Sequence, residues 1–128
     1  EMVIRDWSSD VCSSDLHIFL KEVKDPSRFG IAEFRGDVVV DIKEKPNVPK
    51  TNLAVTGLYL YDNRVFNFVD RVNPSARGEL EITSVNNVYI KENSMTWEKV
   101  KGWWTDAGTF ESLAQANYLA AKKENIKF

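Results

Sequence analysis

The chain has 128 residues, 43% of them hydrophobic and 28% charged, which gives room for one soluble globular domain with a modest core. A formal net charge of −2, with Lys and Arg scattered rather than clustered, argues against nucleic-acid partners and polybasic membrane contacts. The single cysteine, Cys12, excludes an internal disulfide and a Cys-rich metal site; with no apolar run near the ~20 residues of a membrane span, a cytoplasmic location is expected.

Residues 1–16 read differently from the rest. Ser8-Ser9-Asp10 recurs as Ser13-Ser14-Asp15 without helical or strand periodicity. Arg5 to Leu16 looks like translated sequencing-adapter DNA joined to a genuine reading frame. The expected organisation is therefore a non-native or disordered extension over 1–16 and a folded part over 17–128.

From His17 the β-branched and aromatic run to Val23 predicts a strand closed by Asp25-Pro26. Gly30–Phe34 and Val38–Lys43 predict two more strands, joined as a hairpin through Arg35-Gly36-Asp37. Asn52–Tyr61 is apolar on both alternating faces, the pattern of a central strand covered on both sides. Asp62 is placed to cap a short helix bearing Val65, Phe66 and Val69, which Pro74 ends. A further helix is expected with Ile82, Val85, Val88 and Tyr89 on one face. Met95–Lys101 predicts a strand, Gly108 a turn, and Phe110, Leu113, Ala116, Asn117 and Ala120 the inner face of a last helix. Strands alternating with helices make the fold class α/β.

Several polar groups punctuate this frame. Glu44-Lys45-Pro46 ends the predicted hairpin, and the proline restricts the backbone that carries the charged pair. Gly30 follows Phe29, and Gly57 interrupts a buried strand, where tight packing or close approach of a ligand should compensate for it. Arg77, Glu79 and Glu81 lie within Pro74–Thr83, just before a helix start, where free N–H groups favour anions. Asp106, between a strand and a glycine turn, is the kind of single carboxylate that Mg²⁺ accepts, though such a residue also serves as a cap. His17, the only histidine, has no partner at a recognisable motif spacing and is given no role.

In order and spacing, Phe29-Gly30, Glu44-Lys45-Pro46, Val55-Thr56-Gly57, Pro74-Ser75-Ala76-Arg77-Gly78-Glu79-Leu80-Glu81-Ile82-Thr83 and Trp104-Thr105-Asp106-Ala107-Gly108-Thr109 resemble the sugar-1-phosphate nucleotidylyltransferases, and the longest string favours their thymidylyl branch. The resemblance covers about Ile18 to Ala121. It implies a Rossmann-like mixed sheet with flanking helices, part of a nucleotide-diphospho-sugar transferase domain, of which this chain would be a C-terminal fragment holding the sugar-binding half.

The implied reaction joins glucose-1-phosphate and dTTP into dTDP-glucose with release of pyrophosphate, a step toward dTDP-rhamnose and polysaccharides. By resemblance, Glu44 accepts hydrogen bonds from sugar hydroxyls and Lys45 neutralises the sugar phosphate, while Val55 meets the sugar through its main chain. Gly30 lets the backbone approach the sugar, beside Phe29 where many relatives carry tyrosine. Arg77 is directed at phosphate, Glu79 at the sugar side of the cleft, and Asp106 at Mg²⁺; Tyr59 and Trp104 line the pocket, with ordinary core roles as their alternatives. Lys45 and Arg77 are the expected catalytic residues, and Gly30, Glu44, Lys45, Val55, Arg77 and Asp106 are expected to converge on one cavity at a rim of the sheet.

The family's glycine-rich phosphate loop and second metal aspartate have no counterpart in the sequence, so the chain alone is expected to be inactive, with an apolar sheet edge left exposed. The resemblance also implies a homo-oligomer, commonly a tetramer, for the parent enzyme. The alternatives are a noncatalytic sugar-nucleotide-binding domain of the same fold, or a relative using UTP, CTP or GTP.

Overall fold

The computed structural model describes residues 15–76 and 78–124. Its centre is a mixed sheet of β1 (Leu16–Glu22), β2 (Gly30–Arg35), β3 (Val38–Glu44), β4 (Leu53–Leu60) and β5 (Met95–Lys99) in the order β3-β2-β4-β1-β5. Only the β1–β5 pair is parallel; β1–β4, β2–β3 and β2–β4 are antiparallel. Helix α1 (Val65–Val69) and helix α2 (Ile82–Lys91) accompany the sheet, and α3 (Phe110–Lys123) closes the described chain.

Alternation decides which face of the sheet is covered. Leu16, Ile18 and Leu20 on β1 are buried and join Ala32, Val39, Ile42, Phe68, Val85 and Tyr89 in one core, between the sheet and α2. Leu16 thus begins a core strand, one residue inside the segment set aside as an extension. The hairpin of β2 and β3 turns at Gly36, whose φ of +60° is a conformation glycine adopts without strain. The exposed edge expected of the sheet is partly closed at β3: Asn87 on α2 accepts from Ile42 N–H and donates to its carbonyl, both at 3.0 Å.

β4 is central in strand order but is not covered on both faces. Ile18 pairs with Tyr59 and Leu20 with Val55, so Thr56, Gly57 and Leu58 bulge opposite Phe19. The Thr56 hydroxyl donates to the Phe19 carbonyl at 2.9 Å, and Gly57 takes φ +84°. That break in alternation turns Leu58 outward, 55% exposed, where the sequence pattern places it in a covered layer.

Asp62 does not cap α1 as expected, since Arg64 occupies the cap position. It instead ties the end of β4 to both helices. Its carboxylate accepts from Arg64 N–H at 3.1 Å, Arg64 Nε at 2.7 Å and the Tyr89 hydroxyl at 2.6 Å. Desolvation at this 3%-exposed side chain would raise the Asp62 pKa, but those donors outweigh it and hold the carboxyl below its ordinary value.

On α2 the buried positions are Thr83, Val85, Asn86 and Tyr89; Ile82, expected on that face, is exposed. The last helix differs most from its expected packing. Phe110 and Leu113 are exposed, and Ser112 and Ala121 are the buried residues of α3. Its apolar stripe finds no covering layer among the described residues, while Ser112 is buried where it meets Thr109 and Asp106.

Candidate functional site

An open cleft of about 270 Å³ lies at one rim of the sheet. Its lining comes from the loop before β2 (Arg28, Phe29), from β2 (Gly30), β3 (Glu44), β4 (Val55, Thr56, Gly57, Tyr59), α2 (Ile82, Thr83) and the loop after β5 (Trp104, Asp106). Seven of the ten residues assigned to the site by resemblance therefore share one cavity: Phe29, Gly30, Glu44, Val55, Tyr59, Trp104 and Asp106. Lys45 and Glu79 do not line it. Arg77 lies outside the described residues.

Glu44 is the last residue of β3 and sits opposite Gly30 on β2. Thr83, one residue into α2, donates its hydroxyl to Glu44 Oε2 at 2.8 Å and fixes the carboxylate. A Cβ at Gly30 would stand 3.2 Å from that same oxygen and 3.6 Å from Thr83 Oγ1. A side chain at this position would therefore crowd the Glu44 carboxylate, a reason the sequence alone does not contain.

At Gly57 an added Cβ would meet nothing within 4 Å, so neither tight packing nor close approach of another group in the fold explains that glycine. Its positive φ at the bulge does. Lys45 has φ +43°, unusual for a residue with a side chain and more so before Pro46, which favours extended backbone. Its N–H donates to the Phe29 carbonyl at 3.0 Å, which ties this strained residue to the one before β2, beside the Gly30–Glu44 pair.

The far wall hangs on the loop after β5. Lys21 on β1 donates to the carbonyls of Val100, at 3.4 Å, and of Gly102. Trp104 then meets Phe29 edge-on, ring centroids 5.5 Å apart, and closes one end of the cleft. Asp106 Oδ2 accepts from Gly108 N–H at 3.0 Å, from the Ser112 hydroxyl at 3.3 Å and from Arg28 Nη2 at 3.4 Å. Ser112 also completes a capping box with Thr109 at the start of α3. The helix cap and the carboxylate are thereby one hydrogen-bonded unit.

Below the cleft, the Tyr61 hydroxyl donates to Asn86 Oδ1. Burial pushes the pKa of the neighbouring Tyr59 phenol up.

Mg²⁺ takes few protein carboxylates and completes its shell with phosphate and water. Among the described residues no three His, Cys, Asp or Glu side chains come together, but Asp106 fits the role of a lone protein ligand. Its contacts with other side chains and backbone all fall on Oδ2, which leaves Oδ1 without a hydrogen bond among the described residues.

Two lining groups escaped the sequence reading. Thr83 ends the Pro74–Thr83 string, and its place at the head of a helix was the available signal. Arg28 directly precedes Phe29-Gly30, but nothing local distinguishes it from a surface arginine.

Glucose-1-phosphate thymidylyltransferase of Neisseria meningitidis is 44% identical over 113 residues, covering 86% of this chain and 39% of that protein. The crystal structure of a Bacillus anthracis protein assigned as glucose-1-phosphate thymidylyltransferase, in complex with sucrose, superposes with a TM-score of 0.77 at 50% identity, over 84% of this chain and 44% of the other. A UDP-glucose pyrophosphorylase structure with UDP-glucose gives 0.73 at 26% identity, over 85% and 45%. The chain thus spans about two-fifths of the length of the relatives it matches. With the nucleotidyl transferase model matching residues 4–123, on a mixed sheet shared with these structures, the chain belongs to the nucleotidyl transferase family.

Proposed function

We propose that this chain forms the sugar-phosphate side of a glucose-1-phosphate thymidylyltransferase. In the whole protein the sugar-phosphate oxygen attacks the α-phosphorus of dTTP in line, a P–O bond forms to give dTDP-glucose, and pyrophosphate leaves. Such chemistry depends on positioning and charge neutralisation rather than on a protein nucleophile.

The observation that carries the reading is the meeting of Gly30, Glu44, Val55 and Asp106, from separate elements, around one cleft. Glu44, held by Thr83, has a free oxygen's capacity for sugar hydroxyls. Val55 offers its main chain, Trp104 and Phe29 an apolar wall, and Tyr59 a phenol. Lys45 and Arg77 are assigned to the sugar phosphate, and Glu79 to the sugar side from outside the cleft lining. Asp106 would hold Mg²⁺, which when bound neutralises phosphate charge. A cytoplasmic, oligomeric parent enzyme supplying polysaccharide synthesis accompanies this reading, and the chain alone is proposed to bind without turning over.

Titration of the chain with glucose-1-phosphate, followed by NMR, tests the site. Glu44→Gln is expected to weaken binding about tenfold or more, the effect of losing an ionic hydrogen bond, while glucose-6-phosphate binds poorly. In the whole protein, Asp106→Asn is expected to abolish formation of dTDP-glucose, and dTTP is expected to be used in preference to UTP. Binding unchanged in Glu44→Gln would remove the sugar assignment.

A further inference from the structure

We propose that Arg28 is, in addition to Lys45 and Arg77, a further anion-binding residue of the cleft, resting on Asp106 until a divalent cation takes that carboxylate and a substrate phosphate takes the guanidinium. The proposal rests on the sugar-phosphate reading of the site.

The first argument is charge. Among the described lining residues Glu44 and Asp106 are acidic and Arg28 is the one base, so this lining carries a surplus negative charge. A phosphate dianion entering it would meet repulsion. A divalent cation on Asp106 reverses the sign and frees Arg28 at the same moment. Arginine presents donors in a planar fork that matches phosphate oxygens.

The second argument is how loosely Arg28 is held. It reaches Asp106 Oδ2 by one contact at 3.4 Å, with the two side chains 43% and 26% exposed. Charge-assisted hydrogen bonds that hold firmly run shorter, near 2.8 Å. Arg64 in the same molecule shows the contrast: Nε meets Asp62 at 2.7 Å, Nη1 meets Glu92 at 2.8 Å and the guanidinium lies over Phe68 and Tyr89. That arginine is locked in place. Arg28 spends one donor on Asp106 and rests its guanidinium 5.4 Å from the Phe29 ring centre.

The third argument is that Asp106 does not need Arg28 for its orientation. Gly108 N–H and the Ser112 hydroxyl already anchor Oδ2, so the arginine can leave without the carboxylate turning.

Mn²⁺ alone and inorganic phosphate alone are the probes, followed by water-proton relaxation and by NMR titration of the 128-residue chain. Arg28→Gln is expected to tighten Mn²⁺ severalfold without phosphate, because the competing cation is gone. With Mn²⁺ saturating, the same variant is expected to bind phosphate about tenfold or more weakly. In the unsubstituted chain phosphate and Mn²⁺ should strengthen each other's binding, and in Arg28→Gln that coupling should shrink toward none. Arg28→Lys, which keeps the charge but not the fork, should retain the Mn²⁺ affinity and recover only part of the phosphate affinity.

Unchanged phosphate affinity in Arg28→Gln overturns the proposal while leaving the sugar-phosphate reading intact. Mn²⁺ binding that survives Asp106→Asn, or failure of the unsubstituted chain to bind glucose-1-phosphate, overturns both.

Discussion

At Gly30 a single methyl group would press on Glu44 Oε2 from 3.2 Å, and the neighbour that must yield is the carboxylate assigned to the sugar. Gly30→Ala is therefore expected to leave the fold standing, with a stability loss of about 1 kcal/mol, and to weaken glucose-1-phosphate binding more than it weakens the fold. Comparing a urea denaturation curve with the NMR titration separates the two effects. The glycine and the glutamate were both legible in the sequence as members of adjacent motifs, but not their dependence on each other, because the β2–β3 register that sets them opposite is a tertiary fact. Thr83 and Arg28 were illegible for a related reason: a hydroxyl and a guanidinium acquire their meaning from partners 39 and 78 residues away.

Among elements, the start of α3 links helix stability to the site. Thr109 caps the helix through Ser112 N–H at 3.1 Å, and Ser112 reaches both Thr109 and Asp106. Thr109→Ala is expected to cost about 1 kcal/mol of local stability, seen as faster amide exchange in the first turn of α3, and to loosen Asp106 with it. On β1, His17 Nδ1 lies 2.7 Å from Thr96 Oγ1 on β5. Burial lowers the His17 pKa below its ordinary 6.5, and the charge of Glu98 only partly opposes this. The unfolded chain therefore takes up the proton more readily than the folded one. This contribution is present above pH 6.5 and is lost as pH falls through the lower folded value. Denaturation between pH 7 and 5 should show declining stability, with a flatter profile in His17→Gln. Strands were read well because apolar alternation is a local signal; the outward turn of Leu58 was missed because a bulge resets that alternation without changing composition.

For the molecule as a whole, the decisive feature is how much apolar surface α3 leaves uncovered. Phe110 is 93% exposed and Tyr118 63%, and both lie on a helix whose periodicity alone predicts a buried stripe at Phe110. Periodicity reports that a face is built to be covered, not that its cover is at hand. Sedimentation velocity is expected to show concentration-dependent self-association, reduced in Phe110→Ser without loss of glucose-1-phosphate binding. The strand order also has a temporal meaning. β1 precedes the other described strands in the chain, yet its parallel neighbour β5 starts at Met95, and the turn bearing Asp106 lies beyond that. Nascent chain leaving the ribosome can close β1 on β4 and set Glu44 beside Gly30 while β5 is still being translated. Asp106, the carboxylate proposed above for the cation, is then the last of the cleft residues in chain order, and until β5 is made the half-built sheet leaves one side of β1 open to any other strand it meets.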